Sequence, residues 1–146
     1  IFFGYLLRKI AREEIKFGKF GARYFIWLRR IILLLIILIL LYFSKNYLVV
    51  VIFAIIGFIV GIYLDEYLFL GFSLVVSFMS KNLLFLISSL IFVNGLVYGS
   101  LLRNLKKSLS SLLFFIPFLL LIFNFDYYDY LIGFSCGGLL NYIIRK

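Results

Sequence analysis

Six apolar stretches, separated by only a few polar residues, constrain the fold of this chain more than any other feature. They cover residues 31–44, 47–64, 67–80, 83–102, 111–125 and 130–144. Hydrophobic residues make up 66% of the sequence and charged residues 14%, whereas a soluble domain is about 45–50% apolar and about a quarter charged. The core of a 146-residue soluble domain is too small to bury this many apolar residues. We therefore expect a polytopic membrane protein rather than a soluble globular domain.

The connections between the stretches are short enough to force neighbouring helices to run antiparallel. A helix needs about 20 apolar residues to cross a bilayer, with about 17 as a lower limit. The stretch 67–80 is bounded by charged residues on both sides, so it must thin the bilayer, stop part-way or carry a charge inward. We predict an all-α transmembrane bundle of about six short spans in three hairpins. Four or five spans with a re-entrant segment are the alternative.

Residues 3–28 have the pattern of an amphipathic helix at about 100° per residue. Basic and apolar side chains fall on opposite arcs, which is typical of an interfacial helix with its cations toward anionic lipid headgroups. This predicts a basic surface helix in residues 1–30, ahead of a transmembrane domain in residues 31–146, with anionic lipid as a partner. The residues expected to bind headgroups are Arg8, Arg12, Lys16, Lys19, Arg23, Arg29 and Arg30.

The distribution of basic residues predicts the orientation of the bundle in the membrane. Residues 1–30 hold eight of the 15 Lys and Arg residues, and with six spans the same side collects the cations of 103–107 and 145–146. The opposite side collects Lys45 and Lys81 together with the acidic residues of 126–129. We therefore expect both termini on the positive side of the membrane, which is the matrix or cytoplasmic side.

Glycine pairs recur along the chain with a constant spacing of 38 residues. They are Gly57 and Gly61, Gly95 and Gly99, and Gly133 and Gly137. Two glycines four residues apart let helix backbones approach closely in a membrane, so these pairs predict helix-packing faces. One helical turn beyond them stand Asp65, Arg103 and Asn141. Asp65 and Arg103 form a candidate ion pair; alternatively, both mark helix ends in headgroup water, where such a pair contributes about 0–1 kcal/mol.

The residues needed for catalysis or for metal binding are largely missing. The sequence has no His and a single Cys, which excludes the commonest general base and the usual zinc ligands. Asp126 and Asp129 share a helix face, but acidic residues at that position are more typical of a helix N-terminus. We predict no catalytic, cofactor or metal site, and no nucleic-acid partner.

Residues 44–76 resemble the subunit 6 family of respiratory NADH dehydrogenase. The string SKNYLVVVIFAI resembles the loop and helix that open that family's sequence, and EYLFLGFSLVV resembles its next helix. An excess of Phe, Tyr, Ile and Leu, scarce Ala and Pro, and a start at Ile1 are also similar to respiratory-complex subunits encoded in divergent mitochondrial genomes. The resemblance implies a subunit of the mitochondrial inner membrane that takes part in electron transport. An AT-rich prokaryote, with the protein in its plasma membrane, is the alternative source.

These observations together predict a non-catalytic membrane subunit of a respiratory or other energy-transducing complex. Such a subunit packs against other membrane subunits, serves as a scaffold or assembly factor, and could border a proton path. The alternative is a stand-alone small channel or carrier. A transport path requires ionisable groups within the membrane, and Asp65, Glu66 and Lys81 are the candidates.

Overall fold

The computed structural model of the protein describes residues 19–101, 105–122 and 127–145, with side chains described in 24–80, 83–99, 112–121 and 127–145. All regular structure in these residues is helical, which confirms the all-α prediction. The α-helices are α1 (Lys19–Tyr42), α2 (Tyr47–Val60), α3 (Glu66–Met79), α4 (Lys81–Leu101) and α5 (Tyr128–Arg145), and a 3-10 helix spans Leu105–Ile122 between α4 and α5.

Local hydrogen bonds explain why the connections between the first helices are so short. The hydroxyl of Ser44 donates to the carbonyl of Leu41 just beyond α1, and the side chain of Asn46 caps α2 by accepting from the amide of Val49. Asp65 is extended and immediately precedes α3. Ser and Asn favour such positions because their side chains hydrogen-bond to nearby backbone groups, whereas the side chain of Asp65 makes no capping hydrogen bond.

Four of the helices form a closed bundle, and the other two pack on its outside. Helix α1 contacts α4 and α5, and helix α3 also contacts α4 and α5, so the four surround one core. Helix α2 lies against α5, and the 3-10 helix lies against α3. The largest fully buried side chains are Phe69, Leu33, Ile36, Leu40, Leu70, Leu83, Ile87, Ile132, Leu139, Val50, Val75 and Val76.

The fifth apolar stretch forms a 3-10 helix instead of the α-helix that the sequence predicts. Pro117 lies inside it and cannot donate an α-helical hydrogen bond. The Pro117 ring packs at the face of α3 where Gly71 has no side chain: a Cβ added at Gly71 would lie 2.4 Å from the carbonyl oxygen of Phe114 and 3.0 Å from Cγ of Pro117. The glycine therefore gives this helix its close approach to α3.

Among the described residues, one segment is both long and apolar enough to cross a membrane by itself, Tyr24–Tyr42. The shorter apolar helices are Tyr47–Val60, Glu66–Met79, Leu83–Gly99 and Leu112–Leu121. Helix α1 runs without a break through residue 30, where the sequence predicts a boundary between a surface helix and the first span. Residues 19–30 are therefore continuous in one helix with the apolar stretch that begins at residue 31.

Candidate functional site

Residues from all four helices of the central bundle meet at one of its ends. Arg29 comes from α1, Glu66 and Tyr67 from α3, Tyr98 from α4 and Tyr142 from α5. We call these five residues the Arg29 cluster. This end also contains the C-terminal part of α5 and the turn after α2, where Arg145 Nη1 donates to the carbonyl oxygen of Ile62 at 2.6 Å.

An ion pair between Arg29 and Glu66 forms the centre of the cluster. Arg29 Nη2 donates to Glu66 Oε1, and the two residues are only 9% and 2% exposed. Taking two charges out of water costs several kcal/mol per ion, which their mutual attraction offsets only with good geometry and further contacts. The pair therefore depends on the groups that surround it.

Aromatic rings supply the further contacts to Arg29. Its guanidinium carbon lies 4.2 Å from the ring centroid of Tyr98 and 4.8 Å from that of Tyr142. Tyr67 packs edge-to-face on Tyr98 with centroids 5.5 Å apart. A desolvated cation near an aromatic ring gains about 2 kcal/mol, so these tyrosines help to keep the charge of Arg29 inside the bundle.

The burial of Arg29 corrects its predicted role as a headgroup-binding residue. Arg29 lies on the same face of α1 as Leu33, Ile36 and Leu40, which are all fully buried. Its side chain therefore points toward the core. Arg30 is partly exposed, and its guanidinium lies 5.6 Å from the Trp27 ring centroid; headgroup binding by Arg30 stays a prediction. Of the other predicted headgroup residues, Arg8, Arg12 and Lys16 lie outside the described residues, as do the side chains of Lys19 and Arg23.

The two adjacent acidic residues at the start of α3 have opposite environments. Glu66 is buried in the cluster, whereas Asp65 is exposed. The candidate pair of Asp65 with Arg103 remains a prediction, because Arg103 lies outside the described residues. Sequence reasoning did not find the Arg29–Glu66 pair, although the register of Arg29 with the buried face of α1 is a signal that could have found it.

Two of the three predicted glycine pairs lie where α2 packs against α5. A Cβ added at Gly137 would lie 1.9 Å from the Ala54 carbonyl oxygen, and one at Gly133 would lie 2.4 Å from that of Val50. From the other helix, a Cβ at Gly57 would lie 2.2 Å from the Phe134 carbonyl oxygen. The two backbones are thus in direct contact over two turns.

The polar contacts beyond these glycines extend the same interface. Asn141 Nδ2 donates to the Phe58 carbonyl oxygen at 2.9 Å, and Gly61 lies next to Asn141 and Gly138. Two polar contacts join α5 to α2 and to the turn after it, and in both the partners are 83 positions apart. A constant offset means that the two helices are parallel. Gly95 and Gly99, the remaining pair, lie in α4, which packs on α1 and α3 instead.

The opposite end of the bundle has a smaller polar contact. The backbone amide of Lys45 donates to Asp129 Oδ1 at 2.9 Å, and Lys45 Nζ lies 5.9 Å from the Tyr128 ring centroid. This contact ties the connection between α1 and α2 to the start of α5. Asp126 lies outside the described residues.

The exposed side chains are sorted by type along the bundle. Exposed Tyr and Trp in the described part of the chain lie toward the two ends of the bundle. Tyr24 and Trp27, in the first half of α1, and Tyr63, after α2, lie toward the end of the Arg29 cluster, and Tyr42, Tyr47, Tyr127 and Tyr130 lie toward the other. Between these two groups, which we call the aromatic belts, the large exposed side chains are Ile, Leu, Val and Phe. Ser89 is also exposed there, and its hydroxyl donates to the Leu86 carbonyl of its own helix.

The described residues contain no group of three or more His, Cys, Asp or Glu side chains that could hold a metal ion. Cys136, the single cysteine, is a buried free thiol. A comparison with known protein families, curated proteins and solved structures finds no match to this chain.

Proposed function

We propose that the protein is a polytopic membrane bundle and acts as a non-catalytic subunit of a multi-subunit energy-transducing complex. The observation that carries the membrane assignment is the inverted distribution of polarity. Ionised and amide side chains such as Arg29, Glu66 and Asn94 are inside, and the wide apolar surface is outside. Such an apolar surface would be a liability in water, but it is what a lipid-facing surface requires.

The aromatic belts support the same assignment. Tyr and Trp are enriched at both interfaces of a membrane because their rings have an apolar body and a polar edge. The exposed Ser89 supports it too, since a hydroxyl facing lipid must find its partner within its own helix.

The enclosed state of the Arg29–Glu66 pair favours a scaffold over a carrier. A transport path needs an ionisable group that the solute can reach. Glu66 is held by Arg29, and Arg29 lies against Tyr98 and Tyr142, so both charges are engaged in holding four helices together. In the proposed role, the bundle covers an apolar surface of its partner and keeps the partner's helices in register.

The proposed location is the mitochondrial inner membrane or, in an AT-rich prokaryote, the plasma membrane. Both the N-terminal part of α1 and the C-terminal part of α5 reach the end of the Arg29 cluster, where Arg30 and Arg145 also lie. The positive-inside rule then assigns this end to the matrix or cytoplasmic side.

Sizing of the native protein in a mild detergent tests the proposal. Membranes are first washed at alkaline pH, and the protein should stay in the pellet because its apolar surface is in lipid. After solubilisation, we expect it to migrate with a much larger assembly and to be separated from that assembly only by harsher detergent. A discrete small homo-oligomer in mild detergent would contradict the subunit role and favour a stand-alone channel or carrier.

A further inference from the structure

The apolar surface between the two aromatic belts is unusually short along the helix axes. From Trp27, the inner residue of its belt, to Tyr42, helix α1 rises about 22 Å at 1.5 Å per residue, and from Tyr24 it rises about 27 Å. Helices α2 and α3 have 14 residues each, so each rises only about 21 Å. The hydrocarbon layer of a typical bilayer is about 30 Å thick. Measured from Trp27, the belts and the two short helices therefore fall short of an ordinary bilayer by about 8–9 Å.

Polar groups mark the same limits as the aromatic rings. Arg30 lies one turn inside Trp27, and its guanidinium reaches back over that ring, as a cation does when it leaves the hydrocarbon layer. Lys45 is exposed at the other end of α1, and the exposed Asp65 precedes α3. These charges prevent the apolar surface from extending further in either direction.

The bundle cannot lengthen its short helices to fit a thicker membrane. Helix α3 lies between α4, α5 and the 3-10 helix, and Glu66 fixes its first turn to Arg29. Helix α2 is held against the backbone of α5 at Gly133 and Gly137, so sliding it along α5 would bring Cβ atoms into these contacts. Tilting the whole bundle would shorten its span across the membrane further.

We propose that this protein has a lipid-binding perimeter matched to a hydrocarbon layer of about 21–22 Å, and that it selects short acyl chains or thins a thicker bilayer around itself. The inference rests on the proposed membrane insertion. The partner is a ring of lipids whose chains are shorter than those of the surrounding bilayer, because shorter chains bring the headgroups to both aromatic belts.

The single tryptophan of the chain makes the inference testable. Trp27 is 59% exposed at one belt, and lipids brominated at different chain depths quench its fluorescence according to its distance from the bilayer centre. Trp27→Phe with Tyr47→Trp moves the reporter to the other belt, where Tyr47 is exposed. Trp27→Phe with Leu35→Trp places it on the exposed face of α1 midway between Trp27 and Tyr42. The full-length protein is reconstituted in phosphatidylcholine bilayers of ordinary thickness, and unchanged thermal unfolding in detergent shows that the variants fold.

The inference predicts that both belt reporters lie about 11 Å from the bilayer centre, half of the span derived from the helix rise, while the Leu35→Trp reporter lies at the centre. Belt reporters at about 15 Å, half the thickness of an ordinary bilayer, with a central Leu35→Trp reporter, would overturn the thin perimeter and leave the membrane assignment standing. A Leu35→Trp reporter that no brominated lipid quenches would overturn both.

A second measurement uses phosphatidylcholines that differ only in chain length. We expect the wild-type protein to be most resistant to thermal unfolding in the shorter-chain bilayers and to draw short-chain lipids around itself in a mixture, seen as stronger Trp27 quenching when the short-chain component carries the bromine. A stability maximum in the longest-chain bilayer, or equal quenching by both components, would contradict the inference.

Discussion

Replacing Glu66 by Gln should destabilise the bundle strongly, because it strands the charge of Arg29. Glutamine has the same shape as glutamate but no charge, so the packing is kept while the guanidinium, in a residue only 9% exposed, loses its counter-ion. Removing one partner of a buried pair costs about 3–5 kcal/mol. The contacts with Tyr98 and Tyr142 remain in the variant and place the expected loss toward the lower end of that range. For a chain of this size, such a loss lowers the midpoint of thermal unfolding by on the order of 10 °C.

Circular dichroism of the purified protein in detergent measures this midpoint, and two variants serve as controls. Asp65→Asn removes the neighbouring exposed carboxylate and should change the free energy of unfolding by less than about 0.5 kcal/mol. Arg29→Met combined with Glu66→Leu should recover most of the stability, since an apolar pair of similar volume needs no compensation for lost hydration. Equal midpoints for Glu66→Gln and Asp65→Asn would refute the reasoning, as they would show that Arg29 has water or another anion beside it.

Three further predictions concern single contacts, each measured by thermal unfolding in detergent. Gly137→Ala should cost about 1–3 kcal/mol of stability, as is usual for overpacking, because its Cβ would lie 1.9 Å from the Ala54 carbonyl oxygen. The control Gly61→Ala, whose Cβ would have its nearest contact at 3.1 Å, should cost clearly less. Equal losses in the two variants would argue against backbone contact at Gly137. Tyr98→Phe keeps the ring and should keep the stability within about 0.5 kcal/mol of the wild type, whereas Tyr98→Leu loses the cation–π contact and should cost about 1–2 kcal/mol. A larger loss in Tyr98→Phe than in Tyr98→Leu would mean that the Tyr98 hydroxyl, and not the ring, stabilises the cluster. Asn141→Leu should cost about 0.6 kcal/mol, the average for a hydrogen bond between membrane helices, and no loss would mean that its 2.9 Å contact with a carbonyl of α2 contributes nothing.

The length and periodicity of the apolar stretches were enough to predict an all-helical chain and the approximate bounds of its helices. The predicted stretch 47–64 corresponds to α2 at Tyr47–Val60, and the stretch 130–144 to α5 at Tyr128–Arg145. The signals that set these bounds are local, since a polar interruption or a capping residue such as Asn46 ends or starts a helix within its own turn. The bounds are less accurate where the pattern continues across a predicted boundary, as in α1.

Some properties of the chain were settled by the sequence alone: its helical class, its excess of apolar surface and the lack of His and of Cys pairs. The tertiary structure decided which polar residues meet. Arg29 and Glu66 are 37 positions apart, and Asn141 and Phe58 are 83 apart, and no periodicity in a single helix can specify such a partner. Charge pattern alone favoured headgroups for Arg29, because a cation near a helix end usually finds water. In the folded bundle, four helices pack around this side chain and bury it. Its neighbours are then the carboxylate of Glu66 and the rings of Tyr98 and Tyr142.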